Sequence, residues 1–153
     1  MEEADRLPLL ITGIAGVSGF NAFAFFRERY GDLVVGQRPK RNWPLQAPGI
    51  VGVDLSDADG LRRLLDKGNF RTIINCGGSC ALKACEMDPV MARRVNVSGI
   101  ETLLSEISER DIRFVHLSID LVYSGTRGGS HGERDAPDPH DHRDPVAVSK
   151  AES

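Results

Sequence analysis

A short apolar run, Leu9-Leu10-Ile11-Thr12, stops at a turn carrying three glycines spaced three apart, Gly13, Gly16 and Gly19, and an aromatic-rich helical pattern follows. No other stretch constrains the fold as tightly. Gly13 lets the chain turn sharply off a buried strand. Gly16 removes the Cβ that would block a pyrophosphate. Gly19 lets the following helix pack close, with its N-terminal amides and dipole aimed at phosphate charge. Glycine triplets alone also mark ordinary tight turns. Here the strand before and the helix after are both present, so the pattern reads as a dinucleotide-binding turn.

The rest of the chain continues that alternation. Its periodicity predicts a first strand over about Leu7–Thr12 and a helix from Val17 to Tyr30 that buries Phe20, Phe23 and Phe26, with Gly31 as its stop. Leu33–Gly36 is a second short strand, and a loop rich in Pro, Arg and Lys runs from Gln37 to Gly49. Ile50–Val53 is a third strand. Ser56 or Asp57 caps a helix whose apolar stripe includes Leu61, Leu64 and Leu65. Arg71–Cys76 holds the fourth strand. Asp88-Pro89 pairs a capping carboxylate with a proline at the first helical position, and Met91, Val95, Ile100, Leu103, Leu104 and Ile107 carry that helix to about Arg110. Ile112–Leu117 is the fifth strand. Continuous apolar strands separated by helices mean an α/β, doubly wound parallel sheet of five strands covered on both faces. Residues 1–153 read as one such domain.

Composition excludes several alternatives. A net charge of −3 without a basic stripe argues against nucleic acid or a membrane surface as partner. No apolar run reaches membrane-spanning length, and Met1-Glu2-Glu3 is unlike a secretory signal. Cys76, Cys80 and Cys85 are an odd number without a Cys-x-x-Cys pair, which fits a reducing cytoplasm and matches no common zinc knuckle. Residues 124–145 change character to Gly, Pro, Asp, His and Arg without hydrophobic period, and form a long surface loop. His131, His140 and His142 among Asp135, Asp138, Asp141 and Asp144 read there as solvated side chains, and no metal is expected.

In a doubly wound sheet ligands sit at the carboxyl ends of the strands. After the second strand comes Arg38, with Lys40 and Arg41, where a carboxylate would bond an NAD ribose. A guanidinium suits the extra phosphate of NADP, so NADP(H) is preferred over NAD(H); a merely solvated basic loop is the alternative. Asp54 and Leu55 offer a carboxylate for the adenine amine and an apolar surface for its ring. Asn75-Cys76-Gly77-Gly78 makes a ledge without side chains at its end.

Taken in order, Thr12-Gly13-x-x-Gly16-x-x-Gly19, Asp54-Leu55, Asn75-Cys76-Gly77-Gly78, Val95-Asn96-Val97-Ser98-Gly99 and Leu117-Ser118-Ile119-Asp120-Leu121-Val122-Tyr123 resemble the extended short-chain dehydrogenase/reductases. Within them the chain is most similar to the dTDP-4-dehydrorhamnose reductase type, a likeness continued by Glu133, Asp135, Pro137 and Ser149-Lys150-Ala151-Glu152. The resemblance implies a Rossmann-type fold with strand order 3-2-1-4-5 and an NAD(P)(H)-linked oxidoreductase acting on a nucleotide-activated sugar. It implies cofactor contacts from Gly13, Ala15, Gly16, Val17, Gly19, Arg38, Asp54, Leu55, Cys76, Gly77, Gly78, Asn96 and Lys150. In that family a Ser or Thr orients the substrate oxygen, a Tyr transfers the proton and a Lys four residues later lowers the tyrosine pKa, as a phenol with a reference pKa near ~10 requires at neutral pH.

The chain departs from that pattern at two catalytic positions. Val146 stands four residues before Lys150, where the family has Tyr, as though a Tyr-Gly-x tripeptide were missing after Val148. Ile119 occupies the hydroxyl position, and the adjacent Ser118 points to the opposite face by strand alternation. Chains of this kind continue for about as many residues again, with the sugar-binding lobe and part of a four-helix dimer interface. The expectation is therefore a cofactor-binding domain that is a poor catalyst as it stands, with a homodimer interface left incomplete. A non-catalytic, nucleotide-binding regulatory protein is the alternative.

Overall fold

The computed structural model describes residues 3–79, 81–119, 122–124, 126 and 131–138. Five parallel strands are laid side by side in the order 3-2-1-4-5: β1 (Leu9–Thr12), β2 (Val34–Arg38), β3 (Ile50–Gly52), β4 (Thr72–Asn75) and β5 (Arg113–His116). All four β1 residues are buried, so the strand is covered on both faces, as a central parallel strand must be. Pro8 has no N–H for the ladder, and β1 begins after it instead of at Leu7. The Pro8 carbonyl still accepts from Arg71 N at 2.9 Å, setting the register with β4.

Pleating sends successive side chains to opposite faces, and each face has its own core. Leu10 and Ile73 meet Leu61 and Leu65 of α2 (Ala58–Gly68), and Leu103 and Ile107 of α5 (Gly99–Ile107), with Phe70. On the other face Leu9, Ile11 and Val34 pack with Ile14 and with Phe23 of α1 (Val17–Tyr30). α1 starts and stops where the sequence predicts, but Phe20 is 48% exposed. It lies in the first turn and lines a hollow with Val17, Pro44 and Leu45, away from the core that Phe23 enters. Asp57 caps α2 through its carboxylate and Gly60 N, 3.0 Å apart. Leu64 is partly buried against the same core.

Four features differ from the sequence reading. A short helix, α3 (Leu82–Met87), precedes the Asp88-Pro89 start; six residues are too few to show a period. The helix beginning at Pro89 is not uniform: α4 (Pro89–Arg93) widens into a π turn at Arg94–Ser98 before continuing as α5. Leu104 is exposed on the outer side of α5, because Leu103 and Ile107 already fill its inner face. At the other end, β2 runs through Gln37 and Arg38, which the sequence reading placed in the loop. Of residues 124–145 the described part is folded against itself: Tyr123 bridges Asp138, and the His131 ring stacks on Tyr123 with centroids 3.9 Å apart. No helix among the described residues is long and apolar enough to cross a membrane.

Leu61 is fully buried between α2, the sheet and α5. Leu61→Ala is expected to cost about 2–5 kcal/mol, read as a lowered urea midpoint with unchanged slope. A loss below about 1 kcal/mol would contradict the packing described.

Candidate functional site

A row of polar residues crosses the carboxyl end of the sheet. Thr12 is in register with Gln37 of β2 and with Asn75 of β4, and Asn75 with His116 of β5. Buried polar groups must find partners, and these find one another or the turns above them. Asn75 Oδ1 accepts from the Thr12 hydroxyl and, at 2.9 Å, from Gly77 N. The Asn75 amide nitrogen has only protons to offer, so His116 Nδ1, 2.9 Å away, acts as acceptor. Gln37 is equally committed: its Oε1 accepts from Gly13 N at 3.0 Å and its amide donates to Val53 O. The sheet thereby fixes the amides of two loops, at Gly13 and at Gly77.

Above this row opens a cleft of about 430 Å³, lined by Gly13, Ala15 and Gly16 on one side and Cys76, Gly77 and Gly78 beside them. Asp54 and Leu55 come from the end of β3, Arg41 and Asn42 from the β2–β3 loop, and Arg94, Val95 and Gly99 from the π turn. Gly13 has φ +72, and a Cβ there would lie 2.6 Å from the Cys76 and Gly77 backbone. A Cβ on Gly19 would lie 2.7 Å from the Gly13 carbonyl carbon, so the helix rests on the turn only without one. Gly16 is different. Its φ of −96 is ordinary, and a Cβ there would meet only Gly13 O, at 3.5 Å.

The structure brings Gly13, Ala15, Gly16, Asp54, Leu55, Cys76, Gly77 and Gly78 to one cleft. Val17 lines the neighbouring hollow, and Gly19 lies beneath the turn. Arg38 is placed otherwise than the sequence reading expects. It does not line the cleft; its Nε donates to Leu45 O at 2.6 Å and its Nη1 to Pro39 O at 3.2 Å, so it holds its own loop together. Arg41, three residues on, takes the cleft-lining place. Asn96 is likewise buried, gripping Ser79 through N (2.7 Å) and O (3.0 Å), and supports the glycine ledge from behind. Ser118 is exposed and outside the cleft, and Ile119 packs on the Cys85–Ala92 cluster. Lys150 and Val146 lie outside the described residues.

Lys40 fixes the β2–β3 loop. Its amide donates to Asp54 Oδ1 at 3.0 Å and its Nζ meets Asp57 Oδ2 at 2.7 Å. The Lys40 ammonium, helped by Gly60 N–H, holds the Asp57 carboxyl below its usual range, and Asp57 in turn raises Lys40. Burial pushes the Cys76 thiol up, leaving it protonated at the cleft wall. Among the described residues no group of three metal-ligating side chains comes together; Cys80, His140, Asp141, His142 and Asp144 lie outside them.

The family described as RmlD substrate binding domain matches residues 8–145. The chain is 32% identical over 129 residues to the probable low-salt glycan biosynthesis reductase Agl14 of Haloferax volcanii, covering 84% of this chain and 42% of that protein. It is 30% identical over 124 residues to the dTDP-4-keto-6-deoxy-D-glucose reductase of Streptomyces niveus, covering 81% and 39%. The fold superposes on a hypothetical dTDP-4-dehydrorhamnose reductase of Sulfolobus tokodaii with a TM-score of 0.79 and 25% identity, over 94% of this chain and 49% of that one. The chain thus spans less than half the length of each.

The two helix-end glycines should respond differently to a methyl group. Gly19→Ala is expected to destabilise the chain by about 1–3 kcal/mol, because backbone must move. Gly16→Ala is expected to cost less, below about 1 kcal/mol, because it loses a favoured N-cap residue of α1 but displaces no backbone. Equal losses at both positions would contradict the geometry.

Proposed function

The chain belongs to the RmlD substrate binding domain family, and from that premise we propose that it forms the cofactor-binding portion of an NADP(H)-linked reductase of nucleotide-activated sugars. Gly16 carries the reading. No backbone strain and no protein neighbour requires a glycine there. The missing Cβ serves whatever rests on the turn, and a pyrophosphate beside the first amides of α1 fits that space and that dipole. Gly13 and Gly77, whose amides Gln37 and Asn75 orient, flank the same place.

The reduced nicotinamide, when bound, supplies the hydride. The chain's own residues bind and orient. Asp54 and Leu55 suit an adenine, and Gly77 and Gly78 allow close approach along the ledge. Arg41 replaces Arg38 as our candidate for the 2′-phosphate: it lines the cleft, and among the described residues its guanidinium makes no ion pair. Proton transfer is less well provided for. Val146 replaces the family tyrosine, and Ile119 is committed to packing. We therefore expect the cofactor to bind without efficient turnover, with Lys150 acting on the nicotinamide ribose. These two replacements also favour a second reading, a non-catalytic nucleotide-binding regulator. For either we propose a cytoplasmic setting, which suits the free thiols Cys76 and Cys85.

Titration of the purified chain with NADPH and with NADH, followed by nucleotide fluorescence, tests the proposal. Both should bind saturably, NADPH more tightly. Arg41→Ala should weaken NADPH about tenfold to a hundredfold, the worth of a charged hydrogen bond, and leave NADH within about twofold. Equal affinities untouched by Arg41→Ala would overturn the NADP preference. Absence of binding by the folded chain would overturn the nucleotide reading itself.

A further inference from the structure

The π turn at Arg94–Ser98 is an interruption that the helix does not need for its own stability, since the wider turn has poorer geometry than the α-helix on either side. Its consequence is positional. Gly99 N–H reaches back to Arg94 O, five residues earlier. In an α-helix residues five apart point about 140° away from each other. The π turn brings them round to one side, and Arg94, Val95 and Gly99 all line the cleft. Asn96, within the same turn, is buried and holds Ser79 at the back of the ledge. One extra residue in the helix therefore serves both walls.

Resting on the nucleotide reading above, we infer that Arg94 closes over the face of the adenine ring and is a binding residue for it. Leu55 marks the place. A Cβ on Gly99 would lie 3.3 Å from Leu55 Cβ, and one on Gly77 would lie 3.0 Å from Leu55 Cδ1. Leu55 is thus wedged between the start of α5 and the ledge, with Val95 beside it in the cleft wall. This is an apolar seat for a flat ring. Arg94 is exposed at its edge, and among the described residues its guanidinium makes no hydrogen bond or ion pair. The acid that shares the cleft, Asp54, already accepts the Lys40 amide on Oδ1. A planar, weakly hydrated cation beside an apolar seat is suited to stacking on a heteroaromatic face. Arg41 enters from the β2–β3 loop, so the two guanidiniums play separate roles: Arg41 on phosphate, Arg94 on the base.

The test uses the full chain and uncharged as well as charged probes. Arg94→Ala should weaken adenosine, NADH and NADPH by one common factor, about threefold to thirtyfold, while nicotinamide mononucleotide is unaffected. Arg94→Lys, which keeps the charge and loses the plane, should recover only part of the affinity lost in Arg94→Ala. Thermal unfolding of both variants should match the wild type, as the side chain is exposed. Wild-type affinity for adenosine in Arg94→Ala, or full rescue by Arg94→Lys, would overturn the stacking assignment. A wild-type chain that binds none of the probes would instead overturn the nucleotide reading on which it rests.

Discussion

The turn after β1 and the ledge after β4 are in backbone contact, and the cleft exists because they are. Gly13 lies against the Cys76–Gly77 peptide so closely that a Cβ would fall 2.6 Å from it, and Gly19 brings α1 down onto the same turn. Two segments far apart in sequence, the β1–α1 turn and the ledge after β4, converge on one point without side chains between them. The amides at this contact are tied down from below: Gly13 N–H donates to Gln37 Oε1 and Gly77 N–H to Asn75 Oδ1, which fixes both turns. The Gln37, Thr12, Asn75 and His116 row therefore acts as a buried polar strut, joining four neighbouring strands at the level where the sheet meets the cleft.

Charge is arranged with the same separation of tasks. The acidic groups near the cleft are taken up locally: Asp57 by Lys40 and the start of α2, Asp54 by the Lys40 amide. Arg38 is held by loop carbonyls through Nε and Nη1. Among the described residues, Arg41 and Arg94 line the cleft from opposite elements with guanidiniums that make no ion pair. A cleft with committed carboxylates and uncommitted guanidiniums favours an anionic, flat-ringed ligand over a cation.

Much of this was legible in the sequence because it depends on local rules. The alternation of strands and helices follows from alternating apolar runs, the turn from Gly13 and its neighbours, and the α2 start from Asp57. What escaped depends on tertiary partners. Nothing local distinguishes Arg38 from Arg41; only the position of Leu45 O decides which one is consumed. Asn96 sits in a motif that suggested a cofactor contact, yet its reach is to Ser79, seventeen residues away, behind the ledge. Gln37 looked like the first residue of a polar loop, although its place opposite Thr12 in the ladder makes it a buried strand residue. The π turn leaves a faint trace, in that Asn96 and Val97 are adjacent and both buried, where one helical face takes neighbours three or four apart.

The central claim is that the Gly13 turn and the Gly77 ledge form one nucleotide cradle. An amide chemical-shift map of the isotopically labelled chain, recorded across an NADPH titration, tests it most directly. The account predicts saturable shifts concentrated at Gly13, Ala15, Gly16, Gly77 and Gly78 and reaching Leu55 and Gly99 of the same cleft, with the buried layer of Leu61, Leu65 and Ile107 quiet. Saturable binding whose shifts fall elsewhere, or no shifts from a chain whose spectrum shows it to be folded, would contradict it.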